Sequence, residues 1–110
     1  EITSCLVGSE MCIRDSLASK QMNGFGGIIS MNIKGGLEKS KSFLERTKIF
    51  ALAESLGGVE SLIEHPALMT HASLPKDRRE MIGISDGLVR LSVGLESLDD
   101  LIEDIEQALK

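Results

Sequence analysis

Arg90 is the first residue of this sequence whose type and setting could do chemistry. From Leu88 to Gly94 the chain alternates, with Val89, Leu91 and Val93 on one face of an expected strand and Leu88, Arg90 and Ser92 on the other. The apolar set must enter a core, so the guanidinium points away from it on a rigid element. Held there, it offers a planar fork for a carboxylate. A structural salt bridge to a local acid, Glu54 or Glu96, would use the same geometry. Upstream, Glu54-Ser55-Leu56-Gly57-Gly58 closes an apolar run. The glycines permit a ligand to approach the backbone, and Ser55 can donate a hydrogen bond there. The same residues also suit a strand that simply ends in a turn.

Other candidates carry less. His65 and His71 stand six apart without cysteines or clustered carboxylates, which fits one turn histidine and one packed histidine better than a metal site. Cys5 and Cys12 form an isolated C-x6-C pair, too widely spaced for a redox C-x-x-C and with no further cysteine to complete a zinc site. Gly24-x-Gly26-Gly27 precedes an apolar run rather than following one, so a dinucleotide fingerprint fails on context, and no phosphate-loop pattern occurs.

The elements that must position these residues follow from periodicity. An Ile-rich run from Ile28 to Ile33 reads as a strand, closed by Gly35-Gly36. Residues 37–48 read as a helix with Leu37, Ser40, Phe43, Leu44 and Thr47 on one face. Short apolar segments follow at 49–56 and 61–63. Pro75 and Asp77 suit the start of a helix and Gly83 its end. Ser97 with Asp100 resembles a capping box before a last helix striped by Leu98, Leu101, Ile102, Ile105, Ala108 and Leu109. This order predicts a small two-layer α/β sandwich, a sheet with helices over one face.

The 110 residues and 11.9 kDa suffice for one domain, and 42% hydrophobic residues against 26% charged is a globular balance. The net charge of −5 argues against nucleic acid. It arises within residues 96–110, where six acids face one base, and the block reads as the wet face of the last helix. No apolar run has the length of a membrane span. The chain opens on Glu1 and has no Tyr or Trp, as expected of a piece of a longer protein.

From Leu17 to Lys110 the chain resembles the C-terminal domain of the Cys/Met-metabolism family of pyridoxal-phosphate enzymes. The resemblance rests on Gly24-Phe25-Gly26-Gly27, residues 50–58 (FALAESLGG), residues 60–63 (ESLI), residues 65–71 (HPALMTH) and residues 83–96 (GISDGLVRLSVGLE), in the family's order. It implies the small domain of a fold-type I enzyme, with a mostly antiparallel sheet and helices on one face. It also implies that Ser55 and Arg90 grip the substrate α-carboxylate, with Leu56 and Thr70 also in the substrate site. Glu54 matches the cystathionine γ-lyase and γ-synthase branch, where that position lies at the site entrance and selects the distal end of the substrate.

The cofactor implied is pyridoxal 5'-phosphate, held mainly by a large N-terminal domain. In the family the lysine that bonds it lies in that domain, and none of Lys20, Lys34, Lys39, Lys41, Lys48 or Lys76 falls in the family's motif. The resemblance thus implies a cytoplasmic, homotetrameric parent enzyme of cysteine and methionine metabolism, acting on a small amino acid. The chain alone would supply a carboxylate clamp and be inactive. The other reading of the same residues is a free-standing, non-enzymatic α/β module that binds an amino-acid carboxylate.

Residues 1–16 fall outside this resemblance. The stretch from Cys5 to Ser16 resembles a peptide translated from sequencing-adapter DNA, which implies an unrelated leader over 1–16 and the domain over 17–110.

Overall fold

A computed structural model describes residues 2–5, 15–24 and 26–110. Cys12, Phe25 and most of the expected leader lie outside the described residues. The elements are β1 (Ile2–Cys5), α1 (Asp15–Gln21), β2 (Ile28–Ile33), α2 (Gly36–Arg46), β3 (Ala51–Leu52), β4 (Leu62–Glu64), α3 (Lys76–Met81), β5 (Leu88–Ser92) and α4 (Leu98–Leu109). The strands form one sheet in the order β1-β2-β5-β4-β3, antiparallel except for the β3–β4 pair. β1 was not expected. It pairs through its backbone with β2, and such pairing needs no hydrophobic period.

Strand alternation separates the two faces. Met31, Ile33, Ile63, Val89 and Leu91 point to one side and bury against Phe43 and Leu44 of α2, Phe50, and Leu101 and Ala108 of α4. This is the expected two-layer sandwich. α3 contributes no buried residue. The other face carries Ser30, Asn32, Glu64, Arg90 and Ser92, and it holds the polar chemistry.

Three expectations about the helices change. α2 stops at Arg46, two residues early, because the backbone N–H groups of Lys48, Ile49 and Phe50 all turn to the Asp104 carboxylate at 2.7, 2.8 and 3.1 Å. Asp104 is therefore not part of a wet acidic face. It is buried, and it ties α4 to the segment that leaves α2. Finally, the capping box does not form, since Ser97 makes no side-chain cap. Leu98 and Ile102 of the expected stripe remain exposed.

β3 is also shorter than the apolar run 49–56 suggested. It pairs in parallel with β4, Ala51 opposite Leu62 and Leu52 opposite Ile63. A parallel neighbour cannot be reached by a hairpin, because the chain must travel back before it pairs again. Residues 53–61 make that return, and so Glu-Ser-Leu-Gly-Gly becomes a loop instead of a strand end.

Candidate functional site

The return loop is fastened to the polar face of β5 at two points. Arg90 Nη2 donates to the Glu54 carbonyl oxygen at 2.8 Å, and the Gly57 amide donates to Ser92 Oγ at 2.8 Å. Arg90 and Ser92 are alternate residues of one strand and share a face, so the two anchors act on the same side. Between them stand Ser55 and Leu56, both exposed. Gly57 takes φ +75, a backbone conformation that favours glycine and turns the chain at the second anchor.

Below the loop, Arg90 faces Glu64. The antiparallel register sets their Cα atoms opposite one another, and Arg90 Nη1 lies 3.1 Å from Glu64 Oε1. The Arg90 side chain is 20% exposed and that of Glu64 is 2% exposed. Burial pushes the Glu64 carboxyl above the ordinary carboxylate range. Arg90 pulls it back, Glu54 pushes it further up, and His71 and the Thr70 hydroxyl pull it down, with burial prevailing. The structural partner of Arg90 is thus neither acid expected from the sequence. Glu54 contributes its carbonyl, while Glu96 accepts the Ser61 amide and hydroxyl, both at 2.8 Å. The Ser61 amide, the amide of Glu96 itself and the Ser61 hydroxyl hold the Glu96 carboxyl below its usual range.

Arg90, Ser55, Glu54 and Leu56 are accordingly brought to one place by the loop and its anchors. Thr70 joins from the turn after β4. It lies beside Glu64, and its hydroxyl is 2.9 Å from His71 Nδ1. His65 is the packed histidine, buried, with Nε2 2.7 Å from the Asp86 carbonyl oxygen. His71 is the turn histidine. Among the described residues no group of three or more potential metal ligands occurs.

Glu64 and Ser92 are the members that sequence reasoning missed. Ending the short strand at Ile63 left out Glu64 by one residue. An acid placed directly after Leu62 and Ile63 and before His65-Pro66 is the signal that could have found it.

Arg90 spends one N–H on Glu64 and one on Glu54, and three of its five donors remain. That is enough for a bidentate carboxylate. The residues here therefore fit the carboxylate of an amino acid.

The match to the Cys/Met metabolism PLP-dependent enzyme model extends over residues 6–110. The chain belongs to that family. A cystathionine β-lyase from Coxiella burnetii is 60% identical over 94 residues, covering 86% of this chain and 24% of that protein. A cystathionine γ-lyase from Dictyostelium discoideum is 58% identical over 93 residues, covering 84% of this chain and 24% of that protein. The chain thus spans about a quarter of the length of these relatives. Among solved structures, a cystathionine γ-synthase from Xanthomonas oryzae pv. oryzae matches with a TM-score of 0.87 and 44% identity, over 98% of this chain and 28% of that one. A cystathionine γ-lyase from Lactobacillus plantarum, solved with L-serine, matches with a TM-score of 0.84 and 45% identity, over 97% of this chain and 28% of that one. The expected α/β architecture of fold-type I enzymes is thereby borne out.

Proposed function

We propose that this chain is the C-terminal part of a pyridoxal-phosphate-dependent enzyme of transsulfuration, a cystathionine γ-lyase or γ-synthase, and that it supplies the clamp for the substrate α-carboxylate. The observation that carries this reading is the double anchor of Glu54-Ser55-Leu56-Gly57 over Arg90. It places exposed Ser55 directly after the carbonyl that Arg90 holds, while the guanidinium keeps a planar pair of donors. Ser55 and Arg90 bind the carboxylate, Leu56 and Thr70 line the same site, and Glu54 stands at its entrance and selects the distal end of the substrate. Family membership, and an amino acid bound in a solved γ-lyase of the same fold, support an amino-acid substrate.

Pyridoxal 5'-phosphate, when bound, supplies the electron sink for the carbanion at the α-carbon. Its binding groups belong to the large domain of the parent. By holding the carboxylate, this chain would fix the position of the substrate's α-carbon relative to that group. The reading includes a cytoplasmic homotetramer active in cysteine and methionine metabolism. Among the described residues no helix is long and apolar enough to cross a membrane.

The same reading makes residues 1–16 an unrelated leader. It is supported by the 94 residues aligned with the Coxiella relative, which is the length of 17–110. The family match beginning at residue 6 runs against that boundary. Genomic resequencing tests it, and continuous codons upstream would refute it.

Relatives named β-lyase and γ-lyase are about equally similar to the chain, so Glu54 carries the choice of branch. The test is the product spectrum of the full-length enzyme with cystathionine. γ-Cleavage gives cysteine, 2-oxobutanoate and ammonia, whereas β-cleavage gives homocysteine, pyruvate and ammonia. Pyruvate as the main product would overturn the γ assignment. An open reading frame without a large upstream domain would favour the non-enzymatic carboxylate-binding module.

A further inference from the structure

We propose that Glu64 is a positioning residue for substrate recognition, fixing the plane of the Arg90 guanidinium so that its free donors form the carboxylate fork. The proposal rests on the reading of Arg90 given above. A carboxylate that is 2% exposed is costly to keep, and it follows two apolar residues in a strand where a third would bury more cheaply. Its Oε2 is buried without a hydrogen-bond partner among the described residues, and Thr70 and His71, which also bear on the carboxyl, act on it less than Arg90 does. What Glu64 does have is Arg90, opposite it in register and 3.1 Å away at Nη1.

The second tether, the Glu54 carbonyl, takes Nη2. Two acceptors on different terminal nitrogens leave the planar group no free rotation. The remaining N–H on each terminal nitrogen and that on Nε then hold fixed directions. With Glu54 alone, the guanidinium could swing about a single contact. Glu64 thus turns a flexible cation into a preorganised receptor.

The test compares L-alanine with ethylamine, the same molecule without its carboxylate. Affinities for the full-length holoenzyme are read from the change in cofactor absorbance. Glu64→Gln should lower the alanine-to-ethylamine affinity ratio by about tenfold or more, as expected when a charge-assisted contact is misplaced, with ethylamine affinity unchanged. A wild-type ratio, or equal losses for both ligands, would overturn the proposal. If Glu64→Gln fails to retain cofactor, Glu64→Asp takes its place. It keeps the charge on a shorter stem, and a lowered ratio supports the proposal while a wild-type ratio refutes it. Arg90→Lys is measured in parallel. If it lowers the ratio and the Glu64 variants do not, positioning fails while the carboxylate clamp stands. If Arg90→Lys itself leaves the ratio intact, the clamp reading fails and positioning falls with it.

Discussion

The Ser92 hydroxyl accepts the Gly57 amide at 2.8 Å, two residues along the same strand from the guanidinium that holds the Glu54 carbonyl. A buried serine on a sheet face thereby becomes the far anchor of the return loop. Ser92→Ala removes one neutral hydrogen bond, worth about 0.5–1.5 kcal/mol. In the full-length enzyme KM should rise about two- to tenfold, with a smaller change in kcat. Steady-state kinetics check this, and an unchanged KM would separate loop anchoring from substrate binding.

Arg90→Lys keeps the charge, loses the fork and releases Glu54. Losing a hydrogen bond to a charged group costs about 1.5–3 kcal/mol, or roughly ten- to 150-fold. The loss should fall on kcat/KM, because a misplaced α-carbon also misaligns the bond that yields its proton. Cofactor absorbance should stay as in the wild type. A variant that loses cofactor but keeps substrate affinity would make Arg90 structural.

Asp104 governs acid stability. Burial alone would raise its carboxyl, but the amides of Lys48, Ile49 and Phe50, with Gln107, hold it below the ordinary 3.8. A depressed folded value contributes stability that is present above the unfolded value and lost as pH falls through the folded one. Asp104→Asn sets an amide group against N–H donors, and should cost about 2–4 kcal/mol near neutral pH. The variant should also lose the part of the acid-induced decline that Asp104 causes. Denaturant melts across acidic pH measure both.

Gly94 tests close packing. A Cβ there would run into the Val59 carbonyl oxygen and the Glu60 carbonyl carbon, which are backbone and cannot swing aside. Its own amide donates to Ser61 Oγ at 2.8 Å. Gly94→Ala should cost about 1–3 kcal/mol and lower the melting temperature. An unchanged melting temperature would mean that the segment moves freely.

The chain by itself leaves large apolar side chains in water, among them Met81 at 81% and Leu95 at 84% exposure. Expressed without the remainder of its parent, it should bind hydrophobic dyes or aggregate. A monodisperse, dye-silent monomer would favour the free-standing module.

β5 and α4 were legible because each has a sustained period that one buried face demands, and β2 because its Ile-rich run is short and closed by glycines. The alternation of Val89 and Leu91 is enough to fix the orientation of Arg90. The partners of Arg90 were not legible, since they come from cross-strand register, which a single sequence does not carry. Glu64 hid behind a strand boundary one residue too early. Asp104 was misread because its neighbours Glu103 and Glu106 are solvated, and local composition cannot distinguish an acid that caps distant amides. The loop at 53–61 read as the end of a strand, because nothing local announces that the next strand will run parallel.

That parallel return has a consequence for how such a site diversifies. The segment 54–57 of the loop is pinned to one sheet at both its ends, at Glu54 and at Gly57, and both pins use backbone atoms of the segment. Side chains at 54, 55 and 56 can therefore be exchanged without disturbing the moorings. An inserted residue would displace one mooring by roughly 3.3 Å, the rise of one extended residue. New specificities at this position should arise by replacing letters and not by adding them.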